Sequence, residues 1–347
     1  MKNVIEKACC RIDLSGGTLD LWPLYLYQGG LELVNMGIKV FATAKIQFKA
    51  QKTPGLKISI SSRDLNTQTD YNDIASLADS LTKTTSQNPL RWVNRMVHHS
   101  LENKKLRGHI RIETSSDAPP GSGLGGSSVL GVALLRGMEK AFGKSSRTPA
   151  HLWQMQQTVR DLEAIEIEHP AGDQDYVAAL FGGLNVVHLG VNSRRVERLS
   201  DSLAKKLSSH FALLYTGKPH HSGINNWSIF KAIHDGNAAV KTSLANIHTI
   251  SANLAEEFRG KSITNLSALL NQEWHERCQL SPAVNAPVLE EAWAHAQSLG
   301  ATARKGCGAG GGGCILFYFP SAELAKKAVL AALPNSSWKW LNAAASL

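Results

Sequence analysis

The stretch that most constrains this 347-residue chain is Asp117-Ala118-Pro119-Pro120-Gly121-Ser122-Gly123-Leu124-Gly125-Gly126-Ser127-Ser128, followed by a helix-like segment, Val129–Phe142. Prolines are poor strand interior, so a strand cannot run into these glycines. Glycines let the backbone approach a ligand closely and turn its N–H groups inward. A helix starting at Ser127-Ser128 offers unpaired N–H donors and roughly half a positive charge to an anion. The segment therefore has the makings of a phosphate cradle. Gly121–Gly126 fits GxGxxG by letter, but that fingerprint needs a preceding strand and an acid about 20 residues later. Ala118-Pro119-Pro120 precedes it, and no acid lies between Lys140 and Arg160, which argues against a dinucleotide fold. Gly137…Gly143-Lys144-Ser145 has one residue too many for a P-loop, and Gly137 lies within the predicted helix.

A second glycine site runs Lys305-Gly306-Cys307-Gly308-Ala309-Gly310-Gly311-Gly312-Gly313-Cys314. Ordering four consecutive glycines costs conformational entropy, which a mere connection has no reason to incur. Its direct run into Ile315–Phe319 argues for a tight turn entering a buried strand rather than a flexible linker. Two acidic segments accompany these glycines. In Pro170-Ala171-Gly172-Asp173-Gln174-Asp175-Tyr176, Asp175 can accept a substrate hydroxyl proton, although a turn or cap explains a lone Asp equally well. Arg11-Ile12-Asp13-Leu14-Ser15-Gly16-Gly17-Thr18-Leu19-Asp20 carries a cation suited to phosphate and an acid suited to hydroxyls; each also fits a salt bridge or a cap.

The rest of the chain reads as α+β. Val40, Ala42, Ala44, Ile46 and Phe48 alternate with mainly polar neighbours, as a half-buried strand does, and Lys57–Ser61 and Arg107–Glu113 repeat the pattern. Asp70–Asn103 reads as mainly helical. Leu152, Met155, Val159 and Leu162 form a helical stripe, with Glu163 and Glu166 off it, and the helix stops near His169-Pro170. The polar run 192–209 is a candidate boundary. Helices follow around Val240–Phe258 and Val288–Ala296, and a strand at Cys314–Phe319.

Hydrophobic residues make up 43% and charged residues 19%, the composition of a globular chain, and no apolar run approaches the roughly 20 residues of a membrane span. The N-terminus lacks a signal pattern, so a cytoplasmic location with no membrane partner is expected. The net charge of +9 comes from scattered basic groups without aromatic interleaving, which suits anionic small molecules and not nucleic acid. Five cysteines with no CxxC pair read as reduced, packed thiols. Thirteen histidines, including His98-His99 and His220-His221, form no zinc-spaced set.

Three of these motifs, in this order, resemble the GHMP kinases: Arg11–Asp20, the loop Pro119–Ser128 and the glycine turn Lys305–Gly313. With Gly172-Asp173-Gln174-Asp175 and Tyr215-Thr216-Gly217, the pattern is similar to the sugar 1-kinases of the D-glycero-D-manno-heptose 7-phosphate kinase and fucokinase type. The resemblance implies a two-lobed α+β fold. Residues 1–195 would form the ATP-binding lobe with a left-handed βαβ unit, and residues 196–347 a ferredoxin-like lobe. It implies ATP and Mg²⁺ as cofactors and a sugar or sugar-phosphate substrate, and leaves homodimerisation open.

Carried over by position, Pro120, Gly121, Ser122, Gly123, Leu124, Gly125, Gly126, Ser127 and Ser128 bind nucleotide. Ser127 and Glu163 hold the metal, with Glu166 as the fallback. Asp175 and Arg11 are catalytic, and Arg11, Gly17, Thr18, Asp20, Asp175, Gly310 and Gly311 bind the acceptor. The implied reaction is phosphorylation of the anomeric hydroxyl of D-glycero-D-manno-heptose 7-phosphate. A free-sugar kinase, a kinase of a non-sugar alcohol and a silent sugar or nucleotide sensor are the alternatives. Three positions depart from the family pattern: Gly126 replaces a usual serine, Tyr176 a common glutamine, and Asp173 the lysine usual in heptose 7-phosphate kinases. The last reverses the local charge and leaves a neutral sugar open as acceptor.

Overall fold

A computed structural model describes residues 1–82, 88–143, 146–219 and 222–347. Lys144, Ser145, His220 and His221 lie outside the described residues. The chain forms two compact units: Met1–Ala8, Phe41–Asp117 and Gly126–Glu168 make the first, and Cys9–Val40, Ala118–Gly125 and His169–Leu347 the second. Strands β1 (Lys2–Ser15) and β2 (Leu31–Ala50) contribute residues to both.

The first unit carries β3 (Leu56–Ser62), β4 (Thr67–Tyr71), α1 (Ile74–Thr82), α2 (Arg91–Leu101), β5 (Gly108–Ser116), α3 (Gly126–Phe142) and α4 (Pro149–Ile167). The alternating pattern decides its sheet: Ala42, Ala44, Ile46 and Phe48 of β2 are all buried. β2 runs antiparallel to β5 with Ile46 opposite Ile112, and β3 runs parallel to β5 with Ile58 opposite Ile110. A crossover through α1 and α2 joins that parallel pair, as parallel strands require. Asp70 and Tyr71 belong to β4, so the helical reading of this region holds only from Ile74. Thr67, Thr69 and Tyr71 supply the β-branched and aromatic alternation that favours the strand.

One further expectation is corrected in α4. Glu163 is buried and lies on the inward face, because Met155, Val159 and Glu163 recur at four-residue steps. The helix ends where expected, with Glu168 in the left-handed region (φ 57°) just before His169-Pro170.

The second unit carries α5 (Gln174–Phe181), β6 (Leu184–Leu189), β7 (Arg194–Arg198), α6 (Asp201–Ser209), β8 (Phe211–Tyr215), α7 (Ser222–His234), α8 (Ala238–Arg259), α9 (Leu266–Leu280), α10 (Pro287–Ser298), β9 (Ala303–Gly306), β10 (Cys314–Tyr318), α11 (Ala322–Leu330) and β11 (Lys339–Leu341). The polar run 192–209, the candidate boundary, is regular structure. Its first part pairs with β6 as β7, and its second forms α6, which buries Leu203, Ala204 and Leu207. Four strands form an antiparallel sheet in the order β11-β8-β10-β9. Helices fall between β8 and β9 and between β10 and β11, which is the ferredoxin-like arrangement. Leu214, Ile315, Phe317 and Phe319 bury against Trp274, Leu289 and Ala292 in its core.

All five cysteines are free, and burial pushes the Cys307 thiol up to about 12. Among the described residues, no helix is long and apolar enough to cross a membrane.

Candidate active site

The loop between β5 and α3 owes its shape to alternation. Gly121, Gly123 and Gly125 have φ of 62°, 76° and 75°, while Ser122 and Leu124 between them do not enter the left-handed region. Such alternation makes a concavity of backbone N–H groups suited to an anion. The loop carbonyls are turned to protein partners. Ser122 O accepts from Cys314 N (2.8 Å), Gly123 O from Arg11 Nη1 (2.5 Å) and Leu124 O from Arg11 N (3.3 Å). The N–H groups of Gly123, Leu124 and Gly125 have no acceptor among the described residues. Buried Leu124 anchors the loop, and α3 begins directly after it with no acid in its first turn. A concave set of backbone donors is what an anionic group such as a phosphate needs.

Arg11, on β1, joins this loop to the start of α5. Its guanidinium is almost wholly buried, and Nη2 lies 2.5 Å from Asp175 Oδ1. Burial disfavours the Arg11 charge, but Asp175, Asp13 and Asp20 more than offset it and hold the pKa above its ordinary value. A Cβ added to Gly125 would stand 2.7 Å from Asp175 Cγ, so only glycine lets the loop approach this carboxylate.

The turn Gly16–Leu21 forms an adjoining wall. Gln174 N donates to Asp20 Oδ2 (3.0 Å), and Leu21 bridges to Gly172. A side chain at Gly172 would collide with Asp20, since its Cβ would stand 2.2 Å from Oδ2. Burial pushes the Asp20 carboxyl up to about 7; the Gln174 N–H opposes this, and the Asp175, Asp173 and Asp13 carboxylates add to it. Asp173, also buried, lies 3.8 Å from Arg194, whose Nη2 donates to Tyr25 Oη (3.2 Å). Gly17 and Thr18 sit on this turn, with Thr18 itself left-handed at φ 72°.

Behind the turn lies a group that the sequence reading did not single out. Asp13, Glu273, Arg277 and Lys305 are buried together, with Arg277 Nη2 at 3.1 Å from Asp13 and 2.5 Å from Glu273. Lys305 pairs with Glu273 and lies 3.5 Å from Asp13. Burial would raise the Asp13 carboxyl, but Lys305, Arg277 and Arg11 hold it below the usual range. The signal was present in α9, where Glu273 and Arg277 fall on the apolar stripe of Leu266, Leu269, Leu270, Trp274 and Leu280. Two opposite charges at i, i+4 inside such a stripe mark a buried pair.

The C-terminal glycine turn is ordered. Gly311 N donates to Val284 O (2.7 Å) and Gly313 N to Lys218 O (2.7 Å). Gly310 has φ 77°, and a Cβ there would stand 2.5 Å from Val284 O, so this position requires glycine. The Gly311 N–H is thus engaged in holding the turn. The following strand reaches the 118–125 loop through the Cys314–Ser122 hydrogen bond.

In the first unit, Gly131 on α3 packs against Val159 on α4, where a Cβ would come within 2.6 Å. Ser127 lies one turn before Gly131 on α3, and Glu163 one turn after Val159 on α4. Ser127 is exposed and Glu163 is buried. Glu166 is engaged elsewhere, with Arg91 (2.9 Å) and Arg95 (2.6 Å). Among the described residues, no group of three or more His, Cys, Asp or Glu could hold a metal unaided. A hydroxyl and one carboxylate suit a magnesium ion that takes its remaining ligands from phosphates and water.

The chain matches two family models. The one described as GHMP kinases N terminal domain covers residues 91–183, and the one described as GHMP kinases C terminal covers residues 254–336. It is 25% identical to the D-glycero-alpha-D-manno-heptose 7-phosphate kinase of Campylobacter jejuni over 327 residues, 92% of this chain and 90% of that protein. The crystal structure of a D-glycero-D-manno-heptose 1-phosphate kinase from Bacteriodes thetaiotaomicron superposes with a TM-score of 0.71 at 20% identity, covering 98% of this chain and 95% of that one. The mevalonate kinase of Methanococcus jannaschii superposes with a TM-score of 0.76 at 16% identity, covering 98% of both chains.

Proposed function

Because the chain belongs to the GHMP kinase family and is an ATP-dependent sugar kinase, we propose that its acceptor is D-glycero-D-manno-heptose 7-phosphate, phosphorylated at the anomeric hydroxyl. The observation that carries this reading is the packing of Asp175 against Gly125, with Arg11 bonded to both the carboxylate and the loop. It sets an acceptor-activating group beside a cradle of unpaired amides. The acceptor itself is suggested by the relative from Campylobacter jejuni, which carries that substrate in its name.

In this reading residues 120–128 hold the ATP phosphates, and the unpaired amides of Gly123–Gly125 support it. The anomeric oxygen attacks the γ-phosphorus. A new O–P bond forms, the bond from that phosphorus to the β–γ bridging oxygen breaks, and ADP leaves. Asp175 orients the hydroxyl and takes its proton. Arg11 fixes Asp175 relative to the loop, and its positive charge faces the transferring group. Such chemistry depends on positioning and charge compensation more than on covalent catalysis. Asp20, Gly17 and Thr18 form the acceptor wall, and Gly310 and Gly311 shape the turn beside it. Ser127 and Glu163 would hold magnesium, which when bound neutralises phosphate charge. Residues 1–195 form the nucleotide-binding domain and residues 196–347 the C-terminal domain, with the two family matches on either side of that division. Free thiols at all five cysteines support a cytoplasmic site of action.

A second reading, a kinase of a free sugar, is favoured by one feature. Asp20, Asp173 and Asp175 place three carboxylates along the acceptor side. The test is an ATP-coupled assay over free heptoses and hexoses and their terminal phosphates, with the product read by phosphorus NMR. The proposal expects fastest turnover with heptose 7-phosphate and a new glycosyl phosphate resonance. Turnover confined to free sugars selects the second reading.

A further inference from the structure

We propose that Arg277 is the positioning residue for acceptor recognition, holding the Gly16–Asp20 turn in its sugar-binding shape. The inference rests on the reading of that turn as the acceptor wall. Thr18 is a β-branched residue at φ 72°, a conformation that such residues rarely adopt and that the surroundings must impose. Arg277 supplies the constraint. Its Nη1 donates to Thr18 Oγ1 (3.2 Å) and its Nη2 to Gly17 O (3.2 Å), so one planar guanidinium grips both the side chain and the backbone of the turn. The same group is anchored from behind by Asp13 and Glu273, and Glu273 is in turn held by Lys305 at the entry to the glycine turn.

Nothing in this set faces open solvent, since Arg277 is 2% exposed and Glu273 and Lys305 are 0%. Four charges brought together in the interior are costly to assemble, and an apolar cluster of equal volume would serve stability as well. What an apolar cluster cannot do is hold a hydroxyl and a carbonyl at fixed positions. The fork of arginine can, and an ammonium of the same charge cannot hold all four partners at once. Arg277 itself need not touch the sugar.

The test is a kinetic split with a coupling measurement. Arg277→Lys keeps the buried charge and removes the fork. Thr18→Ala removes the gripped hydroxyl without altering any charge, and Thr18→Ser retains it. Each single change to Lys or Ala is expected to raise the acceptor KM about tenfold, the loss of a charge-assisted hydrogen bond, with the ATP KM unchanged. The double variant is expected to be no worse than the poorer single one, and Thr18→Ser, which keeps the hydroxyl, to recover most of the acceptor affinity that Thr18→Ala loses. Hydrogen exchange of residues 14–21 in the free enzyme is expected to accelerate in Arg277→Lys. A lowered melting temperature with both KM values unchanged, additive effects, or unchanged exchange in the turn would each overturn the proposal. If wild-type enzyme phosphorylates no sugar at all, the acceptor reading itself fails and this inference falls with it.

Discussion

Arg11 and Asp175 are in contact through an ion pair of 2.5 Å, and the other arm of the same guanidinium donates to the carbonyl of Gly123 in the glycine loop. One buried cation thereby sets the distance between the carboxylate and the anion cradle. In a fold where two groups come from segments 164 residues apart (175 minus 11), that distance has to be set by something rigid. A side chain anchored on strand β1, which pairs with β2, meets the requirement.

Gly125→Ala should abolish most turnover while leaving the fold intact. The new methyl would stand 2.7 Å from Asp175 Cγ, at a backbone φ of 75° that alanine disfavours. Either the loop or the carboxylate must retreat, and a displacement of about 1 Å in such sites costs on the order of 10²-fold in rate. Steady-state kinetics with circular dichroism as the folding control reads this directly, and full activity would contradict the packing.

Glu163 and Glu166 should separate cleanly. Glu163→Gln is expected to raise the magnesium concentration for half-maximal activity about tenfold, the size of effect that loss of a ligand or its support produces. Glu166→Gln should leave that value unchanged and lower the melting temperature instead, because Glu166 is held by Arg91 and Arg95. A magnesium titration of both variants decides it; equal shifts would refute the assignment.

Asp20 makes stability fall as pH rises. Its carboxyl titrates near 7 in the folded chain and near 3.9 when unfolded, so between these values the native state holds the extra proton. The contribution is fully present below about pH 4 and is lost progressively up to about pH 7, amounting to a few kcal/mol at most. Asp20→Asn should remove this part of the pH dependence and be more stable than wild type, relative to pH 5, at pH 8. Melting temperatures of both proteins across pH 5–8 test it, and parallel curves would contradict it.

Much of this site was legible in the sequence because its parts are local. The loop 117–128 announces itself through prolines, glycines and a helix start, and the structure places its amides as that composition suggests. The glycine turn before Ile315 likewise entered a buried strand, since Ile315–Phe319 could go nowhere else. The four-stranded sheet order agrees with the ferredoxin-like lobe that the family resemblance implied, although no periodicity revealed it. What escaped was non-local or ambiguous in period. Glu163 read as lying off the stripe that ends at Leu162, whereas the buried face runs through Met155, Val159 and Glu163. Arg277 and Glu273 show in the sequence as an i, i+4 pair, but their link to Asp13, more than 250 residues away, follows from no spacing rule. The edge strand β7 is polar because it lies at a sheet edge, and so it read as a boundary.

The most direct test of the account is the turnover number of Asp175→Asn with heptose 7-phosphate at saturating ATP and magnesium, alongside its ATP affinity. The account predicts a fall of about 10²–10⁴ in kcat with ATP binding retained, because the acceptor loses its proton acceptor while the loop amides stay in place. A kcat within about threefold of wild type, too small a change for the loss of a general base, would contradict it.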